Sequence, residues 1–235
     1  LNTIGGYYKL NQRSAILGGF RYFNYPSFKA IEEGVINRTI RPKEFAIDLG
    51  YAYEIFENFA LSATVRYIYS DMGNLGGAKA ASAVAGDIGA SYKGNINLLQ
   101  GIIWTAGLQV SNFGSKIKYL KTKEDLPMLA KLGGSITMPF SDKHKLMIIA
   151  DGGYRVMPSD VESFNVSAGA EYTIANLVMI RGGYHYGDEK KGDFCFATAG
   201  LGVNYKGVHL DFSWLIAGAD NLARNTFWAS LGYSF

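Results

Sequence analysis

Alternation with a period of two runs through this chain from end to end, and it leaves few folds open. In Val208-His209-Leu210-Asp211-Phe212-Ser213-Trp214-Leu215-Ile216 the even positions are all large and apolar, while the odd ones are His, Asp, Ser and Leu. Residues 58–70 repeat the pattern, with Phe59, Leu61, Ala63, Val65, Tyr67 and Tyr69 on one face and Ser62, Thr64 and Arg66 on the other. Successive side chains of a strand point to opposite faces, so such spacing describes a sheet with two unlike surfaces. No run approaches the roughly 20 apolar residues of a membrane-spanning helix.

Thirteen strands are predicted, near residues 2–10, 13–24, 43–55, 58–70, 84–93, 102–112, 128–139, 145–156, 163–173, 177–187, 194–206, 207–217 and 225–235. Most are longer than the five or six residues usual in soluble sheets and match a tilted strand that crosses a bilayer. The connections alternate in length. Short ones fall at Asn11-Gln12, Glu57-Asn58, Ser141 to His144, Ile174 to Asn176 and Lys206-Gly207, with a somewhat longer one at Gly94 to Gln100. Long ones run from Tyr25 to Pro42, Asp71 to Ala83, Phe113 to Pro127, Met157 to Glu162 and Asp188 to Asp193. Short turns on the periplasmic side and long loops outside are the pattern of outer-membrane barrels.

Charge then separates a membrane barrel from a soluble sandwich, which also alternates. Lys9, Arg21, Asp48, Glu54, Arg66, Asp87, Lys93, Lys131, Asp151, Arg155, Glu171, Arg181 and Asp211 all take the parity opposite to the apolar positions. The charge-free face carries Tyr22, Tyr51, Tyr67, Tyr69, Tyr92, Trp104, Tyr154, Tyr172, Tyr184, Tyr186, Tyr205 and Tyr233, concentrated near strand ends. Amphipathic rings collect at headgroup level in this way. Small residues such as Ala63, Ala90, Ala106, Ala168, Ala170 and Ala199 fill the middle. Unpaired strand edges are very costly in lipid, so the expected fold is a closed, all-β, antiparallel transmembrane barrel. On the charged face, Arg21, Asp48, Arg66, Asp87, Lys131, Asp151, Arg155, Glu171, Arg181, His185 and Asp211 are expected to form a polar network filling the lumen. The strand charges comprise six acids and seven bases. That near balance favours pairing over an ion-selective ring of one sign.

Other classes are poorly supported. A net charge of +3 without a basic cluster gives no footprint for nucleic acid. One cysteine, Cys195, precludes an internal disulfide and disfavours a Cys-based metal site. No metal spacing, phosphate loop or dinucleotide fingerprint is present, and no cofactor is expected. His185, His209 and Asp211 share the charged face, yet strand 194–206 separates the two histidines. Ser213 shares a face with Asp211 but has no nameable oxyanion donor, so an enzyme is not expected. Partner binding is expected of the long loops instead. Phe28, Ile31, Val35, Ile36 and Ile40 make the first one unusually apolar, and such patches often bind partners or fold inward over a barrel mouth. Lys116, Lys118, Lys121 and Lys123, around Tyr119, make the third one basic and suited to acidic partners, lipopolysaccharide phosphates among them.

Several segments together resemble the PorV family, barrels of the FadL-like group found in the type IX secretion system of Bacteroidetes. They include Gly5-Gly6-Tyr7-Tyr8-Lys9-Leu10, Gly19-Phe20-Arg21-Tyr22-Phe23, Glu44-Phe45-Ala46-Ile47-Asp48, and Glu57-Asn58-Phe59-Ala60-Leu61-Ser62 running to Arg66-Tyr67-Ile68. Most specific is Ser111-Asn112-Phe113-Gly114-Ser115-Lys116-Ile117-Lys118-Tyr119, followed by Leu126-Pro127. The resemblance is clearest over residues 1–140. It implies a fourteen-stranded barrel with an N-terminal hatch. The thirteen strands counted here, and a chain that opens at Leu1 directly on a strand, then make 1–235 a single barrel domain lacking its hatch and first strand. The final stretch Phe227 to Phe235, with alternating aromatics and a terminal Phe, also looks like the signal read by the outer-membrane insertion machinery, although Ser230 stands where Gly is usual.

The resemblance implies a location in the bacterial outer membrane. It also implies a role in accepting secreted cargo through a C-terminal signal domain at the translocon and shuttling it to a surface attachment complex. Outer-membrane lipid and lipopolysaccharide would surround it. The alternative is a FadL-like transporter for hydrophobic small molecules.

Overall fold

The computed structural model describes all residues except 33–34, 74–79, 97–100, 120–122, 219–220, 222–223 and 235, and except the side chains of 28, 30–32 and 35–38. Seventeen strands are described: β1 (Asn2–Lys9), β2 (Ser14–Asn24), β3 (Phe28–Glu32), β4 (Val35–Ile40), β5 (Lys43–Phe56), β6 (Phe59–Asp71), β7 (Ala81–Asn95), β8 (Ile103–Gly114), β9 (Ile117–Lys118), β10 (Lys123–Glu124), β11 (Leu129–Ser141), β12 (His144–Arg155), β13 (Ser163–Ile174), β14 (Val178–Tyr186), β15 (Phe196–Tyr205), β16 (Val208–Ala217) and β17 (Phe227–Tyr233). Thirteen of them form one sheet in the order β1-β2-β5-β6-β7-β8-β11-β12-β13-β14-β15-β16-β17. Neighbours in that order are neighbours in sequence once β3–β4 and β9–β10, each a separate two-stranded pairing, are set aside.

The predicted strands are therefore present, with ends shifted by up to three residues and with two further pairings, β3–β4 and β9–β10, inside predicted loops. The loop of residues 25–42 contains the β3–β4 hairpin, whose register shifts between Ala30 and Ile31. β7 begins at Ala81, three residues before the predicted 84, because Ala81 and Ala83 continue its alternation under a covering loop. β17 is described as Phe227–Tyr233, inside the predicted 225–235, and residue 235 lies outside the described residues.

Short turns set the registers. At Lys206-Gly207 both residues have positive φ, 49° and 82°, the mirror-image turn whose twist matches paired strands. Beyond it, Tyr205 faces Val208 and the pairing continues to Phe196 opposite Ala217. At the β5–β6 turn Asn58 has φ 66° and its N–H donates to Glu54 Oε1 at 2.7 Å, next to a register shift between Glu54 and Phe56.

Burial runs opposite to that of a soluble sheet. Along β16 the apolar Leu210 and Phe212 are 54 % and 47 % exposed, while the intervening His209, Asp211 and Ser213 are more sheltered. In β13 the most sheltered positions are Ser163, Asn165 and Thr173, whereas Phe164 and Tyr172 are exposed. Large apolar side chains outward and polar ones inward are stable only where the outer medium is apolar.

The chain divides into two compact units. The first holds Leu1–Ala90, Gln109–Leu129 and Val156–Asp160, the second Ser91–Leu108, Ala130–Arg155 and Val161–Phe235.

Candidate functional site

In the first unit a ladder of alternating charge crosses four neighbouring strands on the sheltered face and ends on a neutral amide of a fifth. Arg21 on β2 donates through Nη2 to Asp48 Oδ2 on β5 at 2.8 Å. Arg66 on β6 donates through Nε to Asp48 Oδ1 at 2.6 Å and through Nη2 to Asp87 Oδ2 on β7 at 2.8 Å. Its Nη1 donates to Asn112 Oδ1 on β8. Alternating parity places the four charged groups on one face, and adjacency of the strands places opposite signs within reach; Asn112 has the outward parity of β8 and joins them through its positive φ. Charges this sheltered persist when each finds its partner.

Asn112 ends the ladder two residues before β8 itself ends. Its φ of 60° breaks the strand conformation, and its backbone N–H donates to Asp87 Oδ1 at 2.8 Å. Asn tolerates the left-handed region better than most residues. Its side-chain Nδ2 donates to Pro127 O at 3.1 Å, tying the far end of the 115–128 segment back to β8.

The described residues of that segment fold over the sheltered face. Ile117 packs with Ala81 and Ala83, joined by Ile68, Tyr119 and Leu126. The methyl side chains of Ala81, Ala83 and Ala85 leave the room the segment occupies, and all three are buried. Tyr119 Oη donates to Ser70 Oγ at 2.9 Å, and Ser70 Oγ, almost fully buried, donates to Glu44 Oε1 at 2.6 Å. Tyr25 Oη donates to the other oxygen, Glu44 Oε2, at 3.2 Å. Burial first, then the Glu44 carboxylate, raises the Tyr25 phenol above its ordinary pKa, so it stays a donor. Lys116 pairs with Asp125 at 2.8 Å across the segment. Beneath it lies a cavity of about 420 Å³, bordered by Arg21, Phe23, Ile68, Asn112, Tyr119 and Leu126 among others.

The second unit carries its own clusters on the sheltered face. Arg181 donates through Nε to Glu171 Oε2 at 2.6 Å and through Nη1 to Asp211 Oδ1. Lys131 approaches Asp151 at 3.4 Å. His185 Nε2 lies 2.9 Å from Asp193 Oδ1, its Nδ1 lies 3.0 Å from Ser167 Oγ, and its ring stacks on Phe196. Asn165 Nδ2 donates to Asp193 Oδ2 at 2.9 Å, and Arg155 stands 3.9 Å from the same oxygen. Burial alone would raise the Asp193 pKa. Hydrogen bonds from His185 and Asn165 and the charges of His185 and Arg155 outweigh it and hold the carboxyl below its ordinary range. Asp193 thereby fastens the loop between β14 and β15, with its single turn Glu189–Lys191, onto three strands.

Among the candidate loop residues, Ile40 is 1 % exposed and Tyr119 points inward, so neither presents its side chain to a partner. Lys118 is exposed and Lys116 is engaged with Asp125. Lys121 and the side chains of Phe28, Ile31, Val35 and Ile36 lie outside the described residues. Sequence reasoning passed over Glu44, Ser70, Asn112, Asn165 and Asp193. Asp193 sits in a loop, where strand parity says nothing, and Ser70, Asn112 and Asn165 carry no charge to mark them; Glu44 and Asn112 stand in segments that carry the family resemblance, which gives neither a role. The Ala-x-Ala-x-Ala run at 81–85 was the visible sign that something packs on β7.

An antiparallel thirteen-stranded sheet with its apolar face outward defines a bacterial outer-membrane β-barrel. Its fold is FadL-like. Two crystal structures of the Pseudomonas putida toluene transporter TodX match it at TM-scores of 0.56 and 0.59, each with 11 % identity over 91 % of this chain. The matches span 76 % and 74 % of those chains. No curated protein matches the sequence. Residues 1–160 match the family described as type IX secretion system protein PorV, and the chain belongs to that family.

Proposed function

We propose that this barrel receives secreted proteins through their C-terminal signal domain as they leave the type IX translocon and passes them to a surface attachment complex. The observation that carries this reading is the family match, which spans the whole charge ladder and the folded 115–128 segment. The docking surface is the exposed side of the long loops. Lys118 and Lys123 face solvent there, supporting contact with acidic cargo or lipopolysaccharide phosphates. Ile117, Tyr119 and Leu126 face the other way and hold the segment in place.

The test is affinity purification of the full-length protein from its native membrane. Recovery of translocon components or signal-domain cargo is the expected result. Loss of surface-attached proteins on deletion, restored by the intact gene but not by one encoding Lys118→Glu and Lys123→Glu, assigns the role to this loop.

A second reading has one specific observation behind it, the 420 Å³ cavity beside apolar Phe23, Ile68 and Leu126. It suits a small hydrophobic molecule, as TodX is described as a toluene transporter. Retention of labelled fatty acid or toluene by the purified protein favours transport. Deletion that abolishes such uptake while surface proteins stay in place overturns the secretion reading.

A further inference from the structure

The lipid-facing surface of the second unit is not evenly covered. Between β8, β11 and β12 it holds a groove of about 600 Å³ bordered by Ile96, Trp104, Gly134, Ile136, Ile148 and Ala150. Its floor is low because Gly134 has no side chain and Ala150 only a methyl. Gly134 is confined to that state: a Cβ there would stand 2.7 Å from the backbone oxygen of Thr105. One wall is the Trp104 indole. It folds back over Gly94, where a Cβ would meet the ring at 2.5 Å, and rests against Tyr92 with ring centroids 5.4 Å apart. Ile136 and Ile148, 44 % and 47 % exposed, border the groove elsewhere. Among the described residues, no charged one borders it.

We infer that this groove holds one acyl chain of an anionic glycerophospholipid from the inner leaflet of the outer membrane. The groove is continuous with the outward apolar face, so hydrocarbon reaches it directly. Its depth is marked by the rings at the tip of the β11–β12 hairpin. Phe140, 64 % exposed, lies 6.5 Å from the Tyr172 ring, and His144 lies 6.0 Å from it, the amphipathic belt expected at headgroup level. That hairpin turns at Asp142-Lys143, and short turns of such barrels face the periplasm. Lys143 is exposed at the turn and five residues from Ile148, about 17 Å along an extended strand. A phosphate at Lys143 therefore leaves its acyl chain alongside Ile148 and Ala150. A filled groove restores the contacts that an uneven wall would lose.

The test uses the intact protein in bilayers of phosphatidylcholine with Trp214→Phe and Trp228→Phe, and with any tryptophan outside residues 1–235 likewise replaced, so that Trp104 is the indole read. Phosphatidylglycerol brominated at mid-chain is titrated in and compared with equally brominated phosphatidylcholine. The expected result is a several-fold preference of Trp104 quenching for phosphatidylglycerol. Ala150→Phe, which fills the groove, removes that preference, and Lys143→Gln weakens it, while both variants keep the electrophoretic mobility of the folded barrel. Equal quenching by the two lipids, or a preference unchanged by Ala150→Phe, shows ordinary bulk contact and overturns the site. Stronger quenching by brominated lipid A than by phosphatidylglycerol also overturns it, by assigning the groove to the other leaflet.

Discussion

Arg66 serves carboxylates on two different strands, so its loss leaves both Asp48 and Asp87 short of a partner. Asp48 keeps Arg21, and Asp87 keeps only the Asn112 N–H among these contacts. Arg66→Met is expected to lower stability by about 3 kcal/mol, since stranding a sheltered charge costs more than the pair itself contributes. Urea unfolding from detergent micelles measures it. Adding Asp87→Asn to that variant is expected to recover part of the loss by removing one uncompensated charge. Asp193 gives a prediction in pH. Its folded pKa lies below the unfolded value of about 3.9, so its stabilising contribution is complete above that value. As pH falls through the lowered folded value the contribution disappears. Hydrogen exchange of residues 187–195 is expected to stay slow, after correction for intrinsic rates, down to about pH 5. It should accelerate only at strongly acid pH, and Asp193→Asn should exchange fast throughout.

At the scale of elements, strands and long loops are held by different forces. The strands are secured by continuous ladders such as the eleven paired positions of β12 with β13. The 115–128 segment has two short strands and depends on a few side chains: Tyr119 to Ser70, Asn112 to Pro127, Lys116 to Asp125, and Ile117 on the alanines of β7. Tyr119→Phe removes one neutral hydrogen bond and leaves the ring packed. It is expected to cost about 1 kcal/mol locally. Limited trypsin cleavage at the lysines of the segment is the readout, rising several-fold while the strands stay intact. An unchanged cleavage rate would mean that the Tyr119–Ser70 hydrogen bond does not hold the segment.

For the whole molecule, the inverted burial makes a prediction that no soluble β protein shares. Phe212→Lys puts a charge on the outward face in the middle of β16 and is expected to cost about 2–4 kcal/mol in bilayers. Ser213→Lys puts the same charge one residue on, beside a cluster with two carboxylates and one guanidinium, Glu171, Asp211 and Arg181. It is expected to cost less than about 1 kcal/mol. Equilibrium folding into vesicles compares the two. Equal costs would contradict the assignment of faces.

The sequence by itself determined the thirteen strands of the large sheet and, wherever their alternation runs unbroken, which face a side chain takes. Both follow from a local rule of period two, and the outward face announces itself by carrying Leu210 and Phe212 but no charge. The family resemblance was legible too, because residues 111–119 and 126–127 sit close together in the chain. The charge ladder was visible as a set of residues but not as bonds, since Arg21, Asp48, Arg66 and Asp87 lie on separate strands and only the registers bring them together. Tertiary structure alone decided that Tyr119 and Ile40 turn inward, that Asp193 clasps three strands from a loop, and that the loop of residues 25–42 forms a hairpin. Alternation reports a strand's own geometry. The path of a loop depends on what it packs against, and no local rule records that.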